Sequence, residues 1–208
     1  MQTTGPGMTV LHRDEHLIVV DKPSGLHSVP AKPPGEQSCA ESMLREVDPC
    51  TLLVHRLDRD TSGIMVFART RLAQRHLGWQ FERRQVEKSY VARVAGRIEA
   101  DDGRIELPLA CDWPNRPRQM VTPGGKPAVT EWRVLVRGEA ETRVGLSPRT
   151  GRSHQLRVHL AAIGHPILGD PLYGDAGAAD RLQLHAERLG FRHPEGGAWV
   201  AFRAAVPF

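Results

Sequence analysis

The sequence lacks any run of apolar residues long enough to cross a bilayer. Its opening residues carry neither a basic start nor an apolar stretch, so they do not have the pattern of a signal peptide. We therefore expect no membrane-spanning segment and no secretory leader. Residues 1–8 are expected to form a short disordered arm.

Cysteine is scarce, with only Cys39, Cys50 and Cys111 in the chain. The number is odd and the spacing is not that of metal ligands, which argues against a disulfide framework and against a zinc site. The sequence therefore predicts reduced thiols in the cytoplasm. We assign these cysteines no functional role.

Also absent are a Gly-rich phosphate loop and an Asp-Phe-Gly motif. Residues 55–58 superficially resemble the catalytic loop of protein kinases, but a kinase needs both missing motifs to hold ATP and its metal ions. The chain is also short for a kinase. The kinase class is therefore excluded.

What the sequence does contain is the composition of a soluble globular protein, since 40% of its 208 residues are hydrophobic and 25% are charged. This length suits one domain, which we place over residues 9–208. The net charge is +4 and the sequence pI is about 9.3. A basic chain is compatible with a polyanionic partner, although charge alone is a weak argument for nucleic acid.

Residues 55–63 form a dense polar stretch between apolar runs at 52–54 and 64–68. This pattern predicts a turn-rich loop at the end of a buried sheet, where a catalytic group would be displayed. The same residues also suit a plain hairpin loop, in which Asp and Ser side chains bind local backbone and Gly63 adopts a positive φ. The pattern alone leaves both interpretations open.

Hydrophobic periodicity predicts a strand-rich chain with a mixed, mostly antiparallel sheet and a few helices. Strands are expected at 8–12, 17–21, 64–68, 88–96, 128–136, 141–146 and 199–203, and the first two form a hairpin. Helices are expected at 38–47 with Ser38 as cap, at 71–84 with Thr70 as cap, and from about residue 153. Residues 182–189 are compatible with a short helix, and residues 107–125 form a long connection.

Two of these segments carry basic residues whose role is open. The helix at 71–84 is expected to bury Leu72, Leu77 and Phe81 and to present a face rich in Arg, which suits either solvent or phosphate groups. A solvated face is the more common outcome. The connection at 107–125 carries Trp113 among basic residues, and this side chain would either stack on a base or pin the loop to the core.

Residues 150–164 form a second polar cluster. Apolar residues at helical spacing precede Gly164, which predicts a helix that ends there and places His154 and Arg157 on one face. The series His154, His159 and His165 suggests a metal ligand set. A metal site is nevertheless disfavoured, because no carboxylate or Cys has convincing spacing and the intervening Arg would repel a cation.

Together these clusters resemble the RluA family of RNA pseudouridine synthases, and the resemblance covers nearly the whole chain. The catalytic motif of the family matches His-Arg-Leu-Asp-Arg-Asp-Thr-Ser-Gly at 55–63. Its first motif matches residues 11–25, its Lys-x-Tyr motif 88–90, its third motif 151–174, and its C-terminal signature 184–186 with 191–194. One motif alone would be weak, but the complete series in this order is specific.

The resemblance implies an α+β pseudouridine synthase catalytic domain, in which a central mixed, mostly antiparallel sheet is flanked by helices and loops, without an S4-type RNA-binding domain. Residues 26–30 and 111–117 are similar to a dual-specificity branch that acts on 23S ribosomal RNA and on a tRNA anticodon stem-loop. The implied enzyme detaches uracil from its ribose, rotates it and reattaches it through carbon, without a cofactor and without a metal. We expect a cytoplasmic monomer whose partner is RNA.

The resemblance also implies roles for individual residues. Asp58 would be the ionised carboxylate that reacts, and Arg157 would form an ion pair that keeps Asp58 charged. Tyr90 would stack on or bound the target base and is a candidate for a later proton transfer. Arg56 would enter the RNA and fill the space left by the flipped uridine. Whether Asp58 attacks the base, attacks the sugar or removes a sugar proton stays open.

Further basic side chains are candidates for contacts with the RNA backbone, which set affinity without reading sequence. They are Arg59, Arg83, Arg84, Lys88, Arg116, Arg152 and His154. For Arg152 and His154, support of the loop is an equal alternative.

Two rival functions compete with this interpretation. A noncatalytic RNA-binding or ribosome-assembly protein on the same scaffold is the alternative, and the complete set of Asp58, Tyr90 and Arg157 argues against it. A hydrolase that uses Asp58 on a glycosidic bond is disfavoured, because the usual mechanism needs two separated carboxylates and Asp60 lies too near along the loop.

Overall fold

The computed structural model describes residues 2–4, 7–31 and 38–208 of the chain. In chain order the elements are β1 (Gln2–Thr4), β2 (Met8–Arg13), β3 (Leu17–Lys22), α1 (Ala40–Val47), β4 (Leu52–Leu53), β5 (Ser62–Ala68), α2 (Arg71–Glu82), β6 (Glu87–Ala95), β7 (Asp102–Glu106), β8 (Leu109–Cys111), β9 (Gln119–Val121), β10 (Val129–Arg137), β11 (Glu141–Pro148), α3 (Gln155–Ala162), β12 (Leu184–Arg192) and β13 (Trp199–Arg203). The predicted α+β class, with mixed and mostly antiparallel strands, is confirmed.

Backbone contacts divide the chain into two compact units, and each is described by itself. The first unit consists of residues 1–88 and 186–207, and the second of residues 89–185 and 208. The single domain over residues 9–208 stays a prediction. No helix of the described residues is both long and apolar enough to span a membrane.

The sheet of the first unit places the end of one strand beside the polar loop at 55–61. Its strands run in the order β1-β2-β3-β5-β12, with β4 beside β5 and β13 beside β12. The predicted hairpin of β2 and β3 is confirmed, and β3 pairs with β5 so that Lys22 lies opposite Gly63. Every residue of β5 is buried, as a continuous apolar run inside a sheet predicts. The last residue of β3 therefore lies where the polar loop enters β5.

Helix α2 packs on this sheet through Ala73 and Leu77, which join Ile64 and Val66 in one apolar core. Thr70 caps the helix as predicted, since its Oγ1 accepts the N–H of Ala73 at 3.1 Å. Strand β5, which follows the polar loop directly, is thus packed against a capped helix.

The buried face of α2 differs from the prediction. Leu72 is 70% exposed, because the face that meets the core runs through Ala73, Leu77 and Gln80 instead. The helix also ends at Glu82 rather than at residue 84. The predicted burial of Leu72 is therefore wrong.

The cap of α1 is one residue later than predicted. Cys39 rather than Ser38 is the capping residue, because its Sγ accepts the N–H of Ser42 at 3.3 Å and the Ser42 Oγ accepts the N–H of Cys39 at 3.0 Å. This reciprocal pair satisfies two backbone donors at the start of the helix.

Two other segments, near the two ends of the chain, differ from the prediction. Gln2–Thr4 forms β1 and pairs with β2, so the disorder expected for residues 1–8 does not hold for this strand, whereas Met1, Gly5 and Pro6 lie outside the described residues. The helix considered for residues 182–189 is wrong, because β12 occupies most of this segment. Burial in the interior of a sheet overrides the weak local preference there.

Gly63 has a positive φ of +114°, the conformation that the plain-loop interpretation of the sequence expected. A Cβ at this position would lie 2.4 Å from the carbonyl oxygen of Ala186 in β12. Glycine is therefore required at this position for two reasons, the backbone conformation and the close approach of the neighbouring strand.

In the second unit the strands run in the order β6-β11-β10-β7, and all neighbours are antiparallel. The predicted strands β6, β10 and β11 are confirmed, and Tyr90 of β6 lies opposite Leu146 of β11. Leu156 and Leu160 of α3 pack into the same apolar core as Leu146. The sheet thus carries Tyr90, and the helix above it carries Arg157.

The connection at 107–125 is more ordered than predicted. It contains a small antiparallel hairpin, in which Leu109 of β8 lies opposite Val121 of β9. Strands of three residues are too short to show a periodic pattern in the sequence. The structure of this hairpin was therefore not foreseeable from periodicity.

Candidate active site

His55 anchors the first residue of the polar loop. Its Nε2 accepts the backbone N–H of Val66 in β5 at 3.1 Å, and its ring stacks on Phe81 of α2 with a centroid separation of 4.5 Å. Burial and the charge of Lys88 lower the pKa of His55 to about 3. The imidazole is therefore neutral at physiological pH, and its role is to fix the loop on the strand and the helix.

Lys22 holds the other side of the loop. Its side chain is completely buried, and its Nζ donates to the carbonyl oxygens of Pro23 at 2.8 Å, Leu26 at 2.8 Å and Arg59 at 2.9 Å. A buried ammonium group has three N–H bonds to satisfy, and each of these has an acceptor. The segment at 23–26 and the polar loop are thus tied together through one cation.

Two serines fix the backbone on both sides of Asp58. Ser28 Oγ donates to the carbonyl oxygen of Leu57 at 2.6 Å and accepts its N–H at 3.1 Å. Ser24 Oγ donates to the carbonyl oxygen of Asp60 at 2.7 Å. Asp58 itself is half-buried. Its backbone position is therefore set by contacts on either side of it, which a plain hairpin turn would not require.

The two arginines that flank Asp58 in sequence are exposed. Arg59 donates from Nε to the carbonyl oxygen of Gly25 at 3.2 Å, and the same Nε lies 3.9 Å from Asp60 Oδ1. The loop thus presents Arg56 and Arg59 to solvent, whereas Asp58 is half-buried. This arrangement suits a strand of RNA lying over the loop.

More cations of the first unit follow α2. Arg83 and Arg84 are exposed, whereas Lys88 is half-buried. Burial and the neighbouring charge of Arg84 lower the pKa of Lys88. The guanidinium of Arg83 lies 4.6 Å from the centre of the Trp79 ring. These cations extend the positive charge of the loop towards the helix.

In the second unit Arg157 forms a bidentate pair with Asp170. Arg157 Nε lies 2.8 Å from Oδ2 and Nη2 lies 2.6 Å from Oδ1, and both side chains are buried. Oδ1 also accepts the N–H groups of Leu172 and Tyr173. Burial alone would raise the pKa of Asp170, but the hydrogen bonds and charge of Arg157 outweigh it and the pKa is lowered. The guanidinium is therefore oriented by an ionised carboxylate.

Tyr173 connects several of the candidate residues of the second unit. Its hydroxyl lies 2.7 Å from Nδ1 of His154 and accepts the backbone N–H of Gln119 at 2.7 Å. The guanidinium carbon of Arg157 lies 5.1 Å from the centre of its ring. The structure thus brings His154 and Arg157 together, and it joins the hairpin of β8 and β9 to α3.

The outer basic residues of the second unit differ in their surroundings. Arg116 stacks on Trp113 at 4.0 Å from the ring centre, and Trp113 is 66% exposed, so this tryptophan does not pin the loop to the core. Arg152 donates from Nε to the carbonyl oxygen of Pro127 at 3.1 Å. Arg152 is therefore linked to the segment that enters β10, and Arg116 faces solvent.

The histidines considered as metal ligands are engaged with protein groups. His159 Nε2 lies 3.0 Å from the Leu107 carbonyl oxygen and Nδ1 lies 2.9 Å from Thr130 Oγ1, while Nδ1 of His165 lies 2.9 Å from the Ala95 carbonyl oxygen. Across residues 2–4, 7–31 and 38–208, no group of three or more His, Cys, Asp or Glu side chains is arranged to hold a metal ion.

Sequence reasoning assigned no role to Lys22, Asp170 or Tyr173, although all three lie in motifs that carry the resemblance. In the sequence Lys22 and Asp170 are charged residues next to Pro or Gly, and ordinary turns have the same pattern. Asp58 belongs to the first unit and Tyr90 and Arg157 to the second. The ion pair between Asp58 and Arg157 therefore stays a prediction.

Comparison with known proteins identifies the family. The family model for RNA pseudouridylate synthase matches residues 16–162. The chain is 50% identical to the dual-specificity RNA pseudouridine synthase RluA of Yersinia pestis, over 97% of this chain and 100% of the relative. It is 47% identical to the RluA enzyme of Escherichia coli (strain K12), over 98% of this chain and 95% of the relative.

Solved structures agree with these relatives. Human RNA pseudouridylate synthase domain containing 1 superposes with a TM-score of 0.80 at 28% identity, over 97% of this chain and 84% of that chain. Human RNA pseudouridylate synthase domain containing 4 gives a TM-score of 0.77 at 26% identity, over 95% of this chain and 88% of that chain. The chain belongs to the RluA family of RNA pseudouridine synthases, the enzymes that isomerise uridine in RNA.

Proposed function

We propose that this enzyme isomerises uridines in a tRNA anticodon stem-loop and in 23S ribosomal RNA, and that Asp58 carries the reaction on a uridine flipped out of the RNA. The observation that carries the proposal is the set of hydrogen bonds that fixes the backbone on both sides of Asp58. The two RNA classes rest on the similarity of residues 26–30 and 111–117 to the dual-specificity branch. The names of the relatives describe dual specificity for those proteins.

Asp58 acts as an ionised carboxylate at the bond between the base and the ribose. The bond from the ribose to a base nitrogen breaks and a bond from the ribose to a base carbon forms. This carbon loses its hydrogen as a proton and the freed nitrogen takes up a proton, so the product is an isomer of uridine. Attack on the base, attack on the sugar and removal of a sugar proton all need a charged carboxylate in a fixed position. Lys22 and His55 supply the fixed position, because they hold the loop before RNA binds.

Arg157 keeps Asp58 ionised once RNA has displaced water from the site. Asp170 orients the guanidinium through two hydrogen bonds, so Arg157 is presented in one orientation. Tyr90 stacks on the target base and bounds the pocket that receives it. The reaction takes place without a cofactor and without a metal.

Arg56 enters the RNA where the uridine leaves the stack. The base must unstack at a cost of a few kcal/mol, and a guanidinium that stacks in the vacated space offsets part of this cost. Arg56 is exposed on the loop, as this role requires. Contacts with the RNA backbone come from Arg59, Arg83, Arg84, Lys88, Arg116, Arg152 and His154, and the enzyme acts as a cytoplasmic monomer.

The experiment uses an anticodon stem-loop and a 23S ribosomal RNA fragment whose uridines carry tritium on the base carbon that forms the new bond. Wild-type protein should release tritium to water from both RNAs. Asp58→Asn should release none and should still bind the RNA, because the substitution removes the charge but preserves the shape. Asp60→Asn is the matched control and should keep substantial activity. Full activity in Asp58→Asn would rule out the mechanism.

A separate variant tests the flipping role. Arg56→Ala should retain its fold and lose turnover on folded RNA, since the residue is exposed and its loss leaves the loop contacts in place. Kinetics equal to those of the wild type would remove Arg56 from this role.

A further inference from the structure

We propose that the exposed face of α2 is a second RNA-binding surface, which holds the strand that leads into the loop containing the target uridine. This surface, the α2 stripe, consists of Arg71, Arg75 and Trp79 of the helix and of Arg83, which caps its C-terminal end, and all four are exposed. The inference rests on the proposed function, because it assumes that the enzyme acts on a loop within a longer RNA.

The spacing of the stripe follows the path of a nucleic-acid strand. Its residues are four positions apart, so neighbouring side chains lie on one face and about 6 Å apart along the axis. The whole helix has 12 residues and is about 18 Å long. A single strand could therefore contact several members of the stripe in succession.

The arginines of the stripe have no counter-charge in the part of the chain that the structure describes. Among the described residues, no carboxylate forms an ion pair with Arg71, Arg75 or Arg83. The hydrogen bond that Arg71 makes is to the neutral Oε1 of Gln74 at 3.3 Å. These charges are thus available to an external anion.

Helix stability does not explain these residues. The first turn of α2 contains no acidic residue, and it places Arg71 at the positive end of the helix dipole, where a cation is unfavourable. Arg71 and Arg75 are like charges at positions i and i+4, which also oppose the helix. A polyanion lying along the stripe would relieve both effects.

Trp79 adds a flat surface to the charged stripe. It is 43% exposed, and Arg83 covers part of its ring at 4.6 Å. The opposite face of α2 already fills the core through Ala73 and Leu77, so Trp79 has no packing role there. An exposed indole beside a cation is suited to pack against a ribose of the stem, and a contact with the sugar carries no sequence information.

The position of α2 in the first unit connects the stripe to the reaction. Phe81, near the end of α2, stacks on His55 at 4.5 Å, and Arg56 follows His55 directly in the polar loop. The end of α2 is therefore held against the segment that carries Arg56, which the proposed function places in the RNA. For this reason we assign the stripe to the RNA stem next to the target loop, rather than to an acidic protein segment.

The test compares two hairpins that share one target loop and differ in stem length. Arg71→Gln/Arg75→Gln should raise KM for the long-stem hairpin roughly tenfold, with kcat and the short-stem kinetics unchanged. The slope of log KM against log salt for the long stem should become shallower by roughly 2, one unit for each lost phosphate contact. Trp79→Ala should raise KM for the long stem and leave this slope unchanged.

The matched control is Arg97→Gln/Arg104→Gln, which removes two exposed arginines that already pair with Glu99 and Glu106. This variant should match the wild type on both hairpins. Thermal melts establish that the stripe variants fold, and removal of Arg71 and Arg75 should leave the melting temperature equal or higher.

Two results would overturn the inference. Unchanged KM and salt slope on the long stem would show that the stripe is a solvated face. A shift of the stripe variants in sedimentation, with unchanged RNA kinetics, would assign the face to contact between copies of the chain. Absence of tritium release from the wild type on every hairpin would instead contradict the proposed function itself, so the two failures can be distinguished.

Discussion

Arg157 and Asp170 form a buried ion pair, with N–O distances of 2.8 and 2.6 Å. The carboxylate receives two further backbone N–H groups from the turn that follows it. Removal of one partner from such a pair leaves a buried charge without compensation. This costs more free energy than the intact pair contributes to stability. The pair therefore links the fold of the second unit to the orientation of a candidate active-site arginine.

The first prediction concerns this pair. Asp170→Asn should reduce the free energy of unfolding by about 3–5 kcal/mol, measured by urea denaturation at neutral pH. Under conditions where the variant is folded, kcat should fall while KM for RNA changes little, because the guanidinium of Arg157 loses its orientation. Asp175→Asn is the control, since Asp175 caps an exposed turn through Gly177 and Asn preserves the acceptor. Equal stability of Asp170→Asn and the wild type would contradict the prediction.

The second prediction concerns Lys22. Lys22→Met keeps much of the volume but removes the donor from the carbonyl oxygens of Pro23, Leu26 and Arg59. Because a buried unsatisfied polar group costs about 1–3 kcal/mol, the free energy of unfolding should fall by at least about 3 kcal/mol, together with activity. Lys126→Met, at an exposed lysine, should change unfolding by less than about 0.5 kcal/mol. A fully active, stable Lys22→Met variant would show that the loop is held without the ammonium.

The third prediction concerns pH. The carbonyl oxygen of Leu107 can only accept, so Nε2 of His159 carries the proton and Nδ1 accepts from Thr130. Burial lowers the pKa of His159, and burial together with Lys88 lowers that of His55 to about 3, from 6.5. Below pH 6.5 the unfolded chain therefore binds more protons than the native one, and stability is lost as the pH falls.

Urea midpoints measured between pH 7.5 and about 5 check this sign. The midpoints should be constant at pH values above the ordinary histidine pKa of 6.5 and should decrease at lower pH. His159→Asn should be less stable at neutral pH but should show a shallower decline on acidification. A wild-type midpoint that rises as the pH drops through this range would refute the assignment of neutral imidazoles.

The fourth prediction contrasts two glycines. Gly63→Ala should destabilise the protein by about 2–6 kcal/mol, because it combines an unfavourable φ with overlap against Ala186. Gly78→Ala should stabilise it by about 0.5–1 kcal/mol, because Gly78 lies inside α2 with open space around the new Cβ. Thermal unfolding of both variants measures the difference. A stable Gly63→Ala variant would mean that β5 and β12 can separate locally.

Much of the fold was predictable because local patterns and tertiary structure agree. The hairpin of β2 and β3, the buried β5, the cap at Thr70 and the pair of β10 and β11 each have a strong local signal. The predictions that were wrong concern features that packing between distant segments determines. Leu72 and Ala73 are neighbours in sequence, and which of them faces the core depends on the rotation of α2 against the sheet.

The candidate site was predictable at the level of motifs and not at the level of partners. Resemblance pointed to Arg157, but its partner Asp170 lies in a later turn that looks like ordinary turn chemistry in the sequence. From the sequence, Lys22 is likewise expected to be an exposed charge at the end of a strand, because lysines are rarely buried. Two of its acceptors, the carbonyl oxygens of Pro23 and Leu26, are local, but the third belongs to Arg59, nearly forty residues later. A local pattern does not contain that third acceptor.

The three acceptors of Lys22 have a mechanical consequence. The backbone N–H of Gly25 also donates to the carbonyl oxygen of Arg59 at 3.0 Å, so neither the segment at 23–26 nor the polar loop can open without breaking the contacts of the other. The two stretches form one cooperative opening unit. Amide hydrogen exchange at Gly25 and at Leu57 is expected to report the same opening free energy, and a substrate that displaces either stretch must move both.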